Sequence, residues 1–335
     1  MKVHMTNIYG MTKNSVAQIA QNMTSQFGKQ LGFNEIGIYN YPVSVDSPTE
    51  LSKRFDGMVA SVSNNDIVIY QVPSWNTIEF DHAFVDHLKR YSKLKLIIFI
   101  HDVPPLMFAK NRYLLPTFID FYQKADLLIV PSEQMYHFLR ENGLAEKKYV
   151  VQHMWDHPLD ANMLYDTTEI KRLNFAGDPT KFTFVQDWQH DTPLHLFASK
   201  KPTATDLNLI YEGWLNDAEL CIKLSKNGGF GLVWNDGGYT QEYTSKYISY
   251  KLGSYLAAGL PVIIPCGISN EELIIKNKLG FAVDSITEAL EKLERLTQEE
   301  YLQYKNAVKE FAPLLQQGYF TKQALVQAVF EVLQA

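Results

Sequence analysis

The sequence predicts an α/β protein built from two doubly wound domains in series. Its 335 residues are too many for one modest core and suit two domains of roughly 150 residues each. Apolar strand patterns alternate with helical patterns, which is typical of a parallel sheet with helices on both faces. A polar, turn-rich stretch at residues 156–172 interrupts this alternation, which then starts again.

The first half of the chain alternates in this way throughout. Strands are expected at residues 2–9, 35–41, 66–72, 94–100, 126–132 and 148–154. Helices are expected between them at 15–27, 47–62, 79–91, 113–125 and 132–142. Two of these helical patterns open on Ser-Pro-Thr-Glu or Ser-Glu, which are N-cap signals.

The second half repeats the alternation. Strands are expected at residues 173–177, 193–198, 207–213, 230–234, 261–265 and 280–283, and helices at 216–227, 250–259, 270–279, 286–296 and 320–334. We therefore predict an N-terminal domain at 1–160, a C-terminal domain at 161–319 and a C-terminal helix at 320–335.

Composition narrows the class of partner. With 46% hydrophobic residues, 20% charged residues and a formal charge of −6, the chain lacks the basic face of a general nucleic-acid binder. Cys221 and Cys266 form no spaced pair, which favours a reducing, cytoplasmic setting. The apolar runs are too short to span a bilayer and the N-terminus has no signal-peptide core, so neither a membrane span nor export is expected.

One stretch has the chemistry of an anion site. Residues 249–263 read SYKLGSYLAAGLPVI, which predicts a helix followed by a strand. In open α/β sheets ligands lie beyond the carboxyl ends of the strands, so we expect a cleft between the two domains. The helix N-terminus and Lys251 would attract a diphosphate there, Gly253 would let it approach the backbone, and Ser254 could donate to a ribose or phosphate oxygen. The alternative is that the small residues serve helix packing alone.

This stretch resembles the donor site of GT-B glycosyltransferases, which consist of two Rossmann-like domains facing an interdomain cleft. In that family the lysine contacts the diphosphate of a nucleotide sugar, and a residue three places later commonly carries a ribose-binding carboxylate. Ser254 stands at that later position here.

A second resemblance spans nearly the whole chain. The segments QVPSWNTIEFD, FIHDVPPLMF, QHMWDHP, FAGDPTKF and NGGFGLVW are similar, in order, to those of the bacterial glucosyltransferase 3 group, also called nucleotide sugar synthetase-like. Members extend O-linked GlcNAc on serine-rich repeat adhesins with UDP-glucose and, in some relatives, UDP-GlcNAc. The resemblance implies UDP contacts from a set of residues in four loops: Ser15, Val16, Lys181, Tyr211, Trp214, Lys251, Leu252, Gly253 and Ser254. Lys181 stands where the group has arginine.

The acceptor side is predicted from two loops. His101 and Asp102 end the fourth strand and are candidates for deprotonating or orienting an acceptor hydroxyl. Trp75 and Asn76 follow the third strand and could form a sugar-stacking platform with an amide. The alternatives are a turn cap for Asp102, a buried structural histidine for His101, and a packed loop for Trp75 and Asn76.

No metal or other cofactor is expected. The chain has no Asp-x-Asp pair of the kind that holds Mg²⁺ or Mn²⁺ in metal-dependent transferases. His153 and His157 have the i, i+4 spacing of a zinc helix, but Met154 replaces the glutamate and Pro158 follows at once.

We therefore expect a metal-independent, cytoplasmic hexosyltransferase that binds a UDP-sugar and a GlcNAc-modified adhesin and forms a homo-oligomer, either a tetramer or a dimer. Two alternatives stay open. One is a non-catalytic UDP-sugar-binding partner of another transferase, and the other is a nucleotide-sugar epimerase or hydrolase.

Overall fold

The computed structural model describes residues 1–168, 171–235 and 239–334. The chain forms two compact units. Unit 1 comprises Met1–Gln152 together with the chain from Thr321 onwards, and unit 2 comprises His153–Phe320. No helix within the described ranges combines the length and the apolar character that crossing a bilayer would require.

Unit 1 contains one parallel sheet in the strand order β2-β1-β3-β4-β5-β6. Its strands are β1 Val3–Tyr9, β2 Asn34–Tyr39, β3 Ile67–Val72, β4 Lys95–Ile100, β5 Leu127–Val130 and β6 Lys148–Val151. Its helices are α1 Val16–Gln30, α2 Pro48–Met58, α3 Ile78–Leu88, α4 Pro104–Met107, α5 Leu115–Tyr122 and α6 Glu133–Glu141. Short 3-10 helices occupy Val43–Val45 and Ala109–Leu114.

Unit 2 contains a second parallel sheet in the order β12-β11-β10-β7-β8-β9. Its strands are β7 Leu173–Ala176, β8 Leu194–Phe197, β9 Leu209–Tyr211, β10 Phe230–Leu232, β11 Val262–Pro265 and β12 Gly280–Val283. Its helices are α7 Asp217–Asn227, α8 Tyr239–Thr244, α9 Tyr250–Ala257, α10 Glu271–Lys276, α11 Ile286–Arg295 and α12 Gln298–Gln316. Short 3-10 helices lie at Ala161–Met163 and Thr183–Asp187. The last helix, α13 Tyr319–Leu333, belongs to unit 1 from Thr321 onwards.

Both sheets have a point where the strand order changes direction. In unit 1, β2 is added on one side of β1 and the later strands are added on the other side, beginning with β3. In unit 2, β8 and β9 are added on one side of β7 and the later strands on the other side, beginning with β10. Crevices at such switch points, beyond the carboxyl ends of the strands, are where doubly wound sheets bind ligands. The α/β class with two doubly wound units is thus confirmed.

The core of unit 2 lies on both faces of its sheet. Along β11, Val262 and Ile264 pack into one hydrophobic cluster, whereas Ile263 packs into the other. This alternation follows from the two-residue period of a strand. Helix α9 belongs to the first cluster through Leu252 and Tyr255, so the start of this helix is fixed by core packing.

Candidate functional site

A narrow pocket in unit 2 lies at the switch point of the second sheet. Its walls come from segments that follow three neighbouring strands and from the start of α9. They are Phe182 after β7, Val233, Trp234 and Asn235 after β10, Pro265, Ile268 and Asn270 at and after β11, and Thr244, Tyr247, Ser249 and Lys251 before and at the start of α9. The predicted anion site at the start of α9 therefore lies at the switch point of this sheet.

Side chains of the segment before β7 fix the entry into α9. The indole Nε1 of Trp155 donates to the Ile248 carbonyl oxygen over 3.1 Å. The ring of His157 is fully buried, with Nε2 3.1 Å from the Tyr250 carbonyl oxygen and Nδ1 2.9 Å from a carboxylate oxygen of Asp217. The backbone N–H of His157 donates to Leu315 at 3.1 Å. These bonds hold the backbone on both sides of Ser249.

The ammonium group of Lys251 lies against aromatic rings at the edge of this pocket. Its Nζ atom is 3.7 Å from the ring centroid of Phe182 and 4.9 Å from that of Phe175. Burial, together with the positive charge of Lys181, lowers the pKa of Lys251 to about 7. A cation in this setting gains free energy from a neighbouring anion, because the anion restores the favourable interactions that water no longer supplies.

Lys181 approaches the same ring from the loop that follows β7. Its Nζ atom is 5.4 Å from the Phe182 ring centroid, and the side chain is exposed. The structure therefore brings Lys181 and Lys251 together around Phe182. Lys251 lines the pocket, and Lys181 adds a second positive charge close to it.

The residues that follow Lys251 face the protein interior. Leu252 is fully buried in the core. An added Cβ at Gly253 would lie 2.2 Å from the Trp155 carbonyl oxygen, so close packing accounts for this glycine. Ser254 is 2% exposed, and its Oγ lies 3.4 Å from both ring nitrogens of His157 and 3.3 Å from the Tyr250 carbonyl oxygen. The sequence suggests that Gly253 makes room for an anion at the backbone, whereas in the structure the space beside it is filled by the Trp155 backbone and the His157 ring.

The two aromatic candidates after β9 remain accessible. Tyr211 is 38% exposed and its hydroxyl donates to the Ala198 carbonyl oxygen over 2.8 Å, which leaves the ring face available. Trp214 is 42% exposed and follows Gly213, whose φ of 79° reverses the chain. Either ring can stack on a planar base.

In unit 1 the first two candidates lie at the start of α1. Ser15 is the N-cap residue of α1, and its Oγ accepts a hydrogen bond from the Gln18 backbone N–H over 3.3 Å. Val16 is 52% exposed at the first helical position. A helix N-terminus beside the β1–β3 switch point is thus open to solvent, with a hydroxyl and backbone amides at its end.

The loop after β3 is held in an unusual conformation. Trp75 has a φ of 61°, a left-handed value that is uncommon for a bulky residue. The Asn76 amide bonds to the chain after β2, with Oδ1 accepting from the Tyr41 backbone N–H over 3.1 Å and Nδ2 donating to the Tyr39 carbonyl oxygen over 3.4 Å. Asn76 therefore joins the loops that follow β2 and β3, and the amide is already engaged within the protein.

His101 and Asp102 directly follow β4, as the sequence predicts. His101 is 6% exposed, and burial lowers its pKa to about 3. Its imidazole is therefore neutral at physiological pH and is a weak acceptor of a proton from a sugar hydroxyl. Asp102 is half-buried. Of the two residues, the carboxylate is the better candidate for a general base.

Potential metal ligands are scattered over the described ranges 1–168, 171–235 and 239–334. In these ranges no three or more His, Cys, Asp or Glu side chains are grouped so as to hold a metal ion. The segment from His153 to His157 is not helical, and the His157 ring binds Asp217.

Four residues of this site are additions to the predicted set: Phe182, Ser249, His157 and Asp217. Phe182 and Ser249 lie one and two positions from Lys181 and Lys251 and inside the quoted segments 175–182 and 249–263, but no local pattern distinguished them there. Asp217 is distant from both, and its contact with His157 has no local sequence signal.

Comparison with known proteins identifies the relatives of this chain. A family model described as "Glucosyltransferase 3-like, N-terminal domain" matches residues 2–154, and its counterpart for the C-terminal domain matches residues 173–328. A "Glucosyltransferase 3" from Streptococcus gordonii is 48% identical over 336 residues, which cover 99% of this chain and 100% of that protein. A "Glucosyltransferase 3" from Streptococcus parasanguinis is 43% identical and covers 99% of each chain.

Solved structures show the same fold. The structure of Anabaena Alr3699/HepE in complex with UDP and glucose superposes with a TM-score of 0.68 over 99% of this chain and 100% of that one, at 9% sequence identity. Likeness at that level of identity bears on the fold alone, which is GT-B.

Proposed function

This chain belongs to the Glucosyltransferase 3-like family and is a glycosyltransferase, and from that premise we propose that it moves glucose from UDP-glucose to O-linked GlcNAc on a serine-rich repeat adhesin. GlcNAc is the alternative donor sugar. The full-length relatives named "Glucosyltransferase 3" support glucose. The adhesin acceptor rests on the five segments that resemble the glucosyltransferase 3 group.

One observation carries the UDP-sugar assignment. The Lys251 ammonium lies 3.7 Å from the Phe182 ring centroid at the switch-point pocket, with Lys181 beside the same ring. Paired cations next to a helix N-terminus suit the diphosphate of a nucleotide sugar.

Lys251 and Lys181 would also take part in the reaction itself. When the bond between sugar and phosphate breaks, the departing UDP gains negative charge. Lys251, Lys181 and the α9 N-terminus stabilise that charge, and because they are held in place before reaction they need little reorganisation. This arrangement substitutes for a divalent metal, and we propose a metal-independent reaction. Removing one such contact costs about 2–4 kcal/mol in the transition state.

The remaining contacts are assigned by position. We place the uracil against the exposed ring of Tyr211 or Trp214, and we assign further nucleotide contacts to Ser15, Val16 and Lys251, since Leu252, Gly253 and Ser254 face the protein interior. Asp102 acts as the base for the acceptor hydroxyl, since the buried His101 is too weakly basic. The neutral His101 orients a substrate hydroxyl. Trp75 provides an aromatic face for the acceptor sugar, with Asn76 fixing the loop.

Two further properties belong to this proposal. The enzyme works in the cytoplasm, which suits its two free thiols, Cys221 and Cys266. It forms a homo-oligomer, either a tetramer or a dimer. Light scattering of the purified chain measures the oligomeric state, and a monomeric mass would contradict this part of the proposal.

A panel of UDP-sugars tests the function directly. Each is offered with a serine-rich peptide that carries O-linked GlcNAc, and products are read by mass spectrometry with and without EDTA. A hexose increment from UDP-glucose that survives EDTA is expected. UDP binding without transfer to any acceptor would favour the non-catalytic alternative, and a converted free nucleotide sugar would favour an epimerase.

A further inference from the structure

Ser249 occupies a capping position without capping the helix. It is the N-cap residue of α9, with φ −68° and ψ 122°, yet its side chain accepts no hydrogen bond from the first turn. The other serine and threonine N-cap residues in the described ranges all accept such a bond: Ser15, Ser47, Thr77, Ser132, Ser285 and Thr297. The hydroxyl of Ser249 therefore has a role other than capping α9.

The Ser249 hydroxyl is buried and lacks an internal partner. The residue is 7% exposed, and its Oγ atom forms no hydrogen bond with any described residue. Buried hydroxyls in folded proteins nearly always form hydrogen bonds, because burial removes their bonds to water. An orphaned hydroxyl of this kind needs an explanation, and a ligand that binds beside it provides one.

The surroundings indicate which ligand chemistry fits. Ser249 lines the same pocket as Lys251, two residues further along α9. An ammonium group donates and never accepts, a hydroxyl can donate, and a helix N-terminus presents N–H groups with partial positive charge. Three sources of donors at one point match a ligand that is rich in acceptor oxygens and negatively charged.

The Ser249 hydroxyl also has a fixed position. Trp155 holds the carbonyl oxygen of Ile248, one residue before it, and His157 faces the carbonyl oxygen of Tyr250, one residue after it. The backbone around Ser249 is therefore positioned before any ligand arrives. A donor that is already in place loses little conformational freedom on binding, so its hydrogen bond contributes more to affinity.

We propose that the Ser249 Oγ–H donates a hydrogen bond to a diphosphate oxygen of the bound nucleotide, which adds Ser249 to the two proposed diphosphate-binding side chains, Lys251 and Lys181. This inference rests on the proposed function, since the diphosphate is the part of a UDP-sugar that the cations at this pocket would bind. The contact is absent from the set of residues that the sequence predicts.

Calorimetric titration of the full-length chain with UDP tests the contact. A hydrogen bond to a charged phosphate oxygen predicts that Ser249→Ala raises the Kd for UDP about tenfold or more. Titration with 2′-deoxy-UDP separates phosphate from the ribose 2′-hydroxyl. An equal loss with both nucleotides supports the diphosphate contact, and a loss confined to UDP would overturn it in favour of the ribose.

A matched variant separates binding from stability. Ser285 is the N-cap residue of α11 and accepts a hydrogen bond from the Glu288 backbone N–H over 3.1 Å. Ser285→Ala should lower the Tm and leave the Kd for UDP unchanged. Ser249→Ala should leave the Tm of the unliganded protein unchanged or raise it, because no internal bond is lost. A fall in Tm as large as that of Ser285→Ala would overturn the proposal.

Lys251→Ala distinguishes the two possible failures. If Lys251→Ala weakens UDP binding and Ser249→Ala does not, the inference about Ser249 fails while the proposed function stands. If neither variant changes the Kd for UDP, the pocket is not the diphosphate site and both fail.

Discussion

The Nζ atom of Lys251 lies 3.7 Å from the ring centroid of Phe182. This relationship joins the start of α9 to the loop after β7, which are the two segments that carry the cations of the pocket. An aromatic face attracts a cation without forming a directed hydrogen bond. The ammonium group is thus held near the pocket while its three N–H donors remain suited to phosphate oxygens.

Replacing this cation should stop catalysis while the protein stays folded. Lys251→Ala removes a group that stabilises the departing diphosphate, and the loss of about 2–4 kcal/mol corresponds to a rate below about a tenth of wild type. The measurement is turnover by mass, with the Tm as a control for folding. A variant that keeps more than about a tenth of the wild-type rate would remove Lys251 from this role.

UDP affinity should depend on pH above 7. The pKa of free Lys251 is lowered to about 7, and a bound diphosphate favours the charged form and raises that pKa. Binding then takes up a proton as pH rises above about 7, so affinity falls by up to about tenfold per pH unit until the pKa of the complex is reached.

Stability of the unliganded protein should change in the opposite direction. The folded-state pKa of Lys251 lies below the unfolded value of about 10.4, so the unfolded state binds more protons between about pH 7 and 10. This residue therefore makes the fold more stable as pH rises through that window.

Calorimetric Kd values for UDP at pH 7, 8 and 9 check the predicted fall in affinity. Lys251→Arg is the control, because arginine stays charged and should abolish the dependence of UDP affinity on pH.

Gly253→Ala should destabilise the protein. The added methyl would lie 2.2 Å from the Trp155 carbonyl oxygen and 2.8 Å from Cδ2 of His157, so the backbone must shift. We expect an overpacking cost of about 1–3 kcal/mol, which exceeds the roughly 1 kcal/mol that alanine gains over glycine in a helix.

Gly57→Ala is the matched control for that variant. Gly57 lies in α2, and nothing is within 4 Å of its added Cβ. This substitution should stabilise by roughly 0.5–1 kcal/mol. Urea unfolding measures the free energy of unfolding of both variants. A Gly253→Ala protein as stable as the wild type would contradict this expectation and show that the Trp155 segment moves to accommodate the methyl group.

His157 should position the start of α9 for nucleotide binding. His157→Ala leaves the Asp217 carboxylate and the Tyr250 carbonyl oxygen without this partner, and we expect a loss of about 2–4 kcal/mol in unfolding free energy and a higher Kd for UDP. Asp217→Asn retains an acceptor for Nδ1–H and should cost less than about 1 kcal/mol. Equal effects of the two substitutions on the Kd would argue against the positioning role.

Local periodicity predicted most of the architecture. All twelve strands lie where apolar runs were expected. Central strands such as β4 and β5 are buried on both faces and are therefore continuous apolar segments between turn residues. Helix α12, Gln298–Gln316, was not predicted. Its sequence is largely polar and contains Pro313, which hides its periodicity, although Thr297 and Glu300 form a capping box that could have been read as a helix start.

The site was less predictable than the fold. Lys251 could be singled out, since a cation at a helix start has a local signature, whereas the role of Lys181 was implied by the resemblance to the glucosyltransferase 3 group. The function of Gly253 could not be predicted, because its neighbour Trp155 is almost a hundred positions earlier in the chain. The role proposed for Ser249 could not be predicted either. It follows from the finding that its buried hydroxyl bonds to no described residue, which only the structure reveals.

The most direct test of the central claim is a crystal structure of the full-length chain with UDP. We predict that the diphosphate lies in the switch-point pocket of unit 2, with Lys251 Nζ and Ser249 Oγ each about 2.7–3.2 Å from its oxygens. A nucleotide bound at another place, or a Lys251 ammonium that points to bulk solvent while UDP is bound, would contradict the assignment.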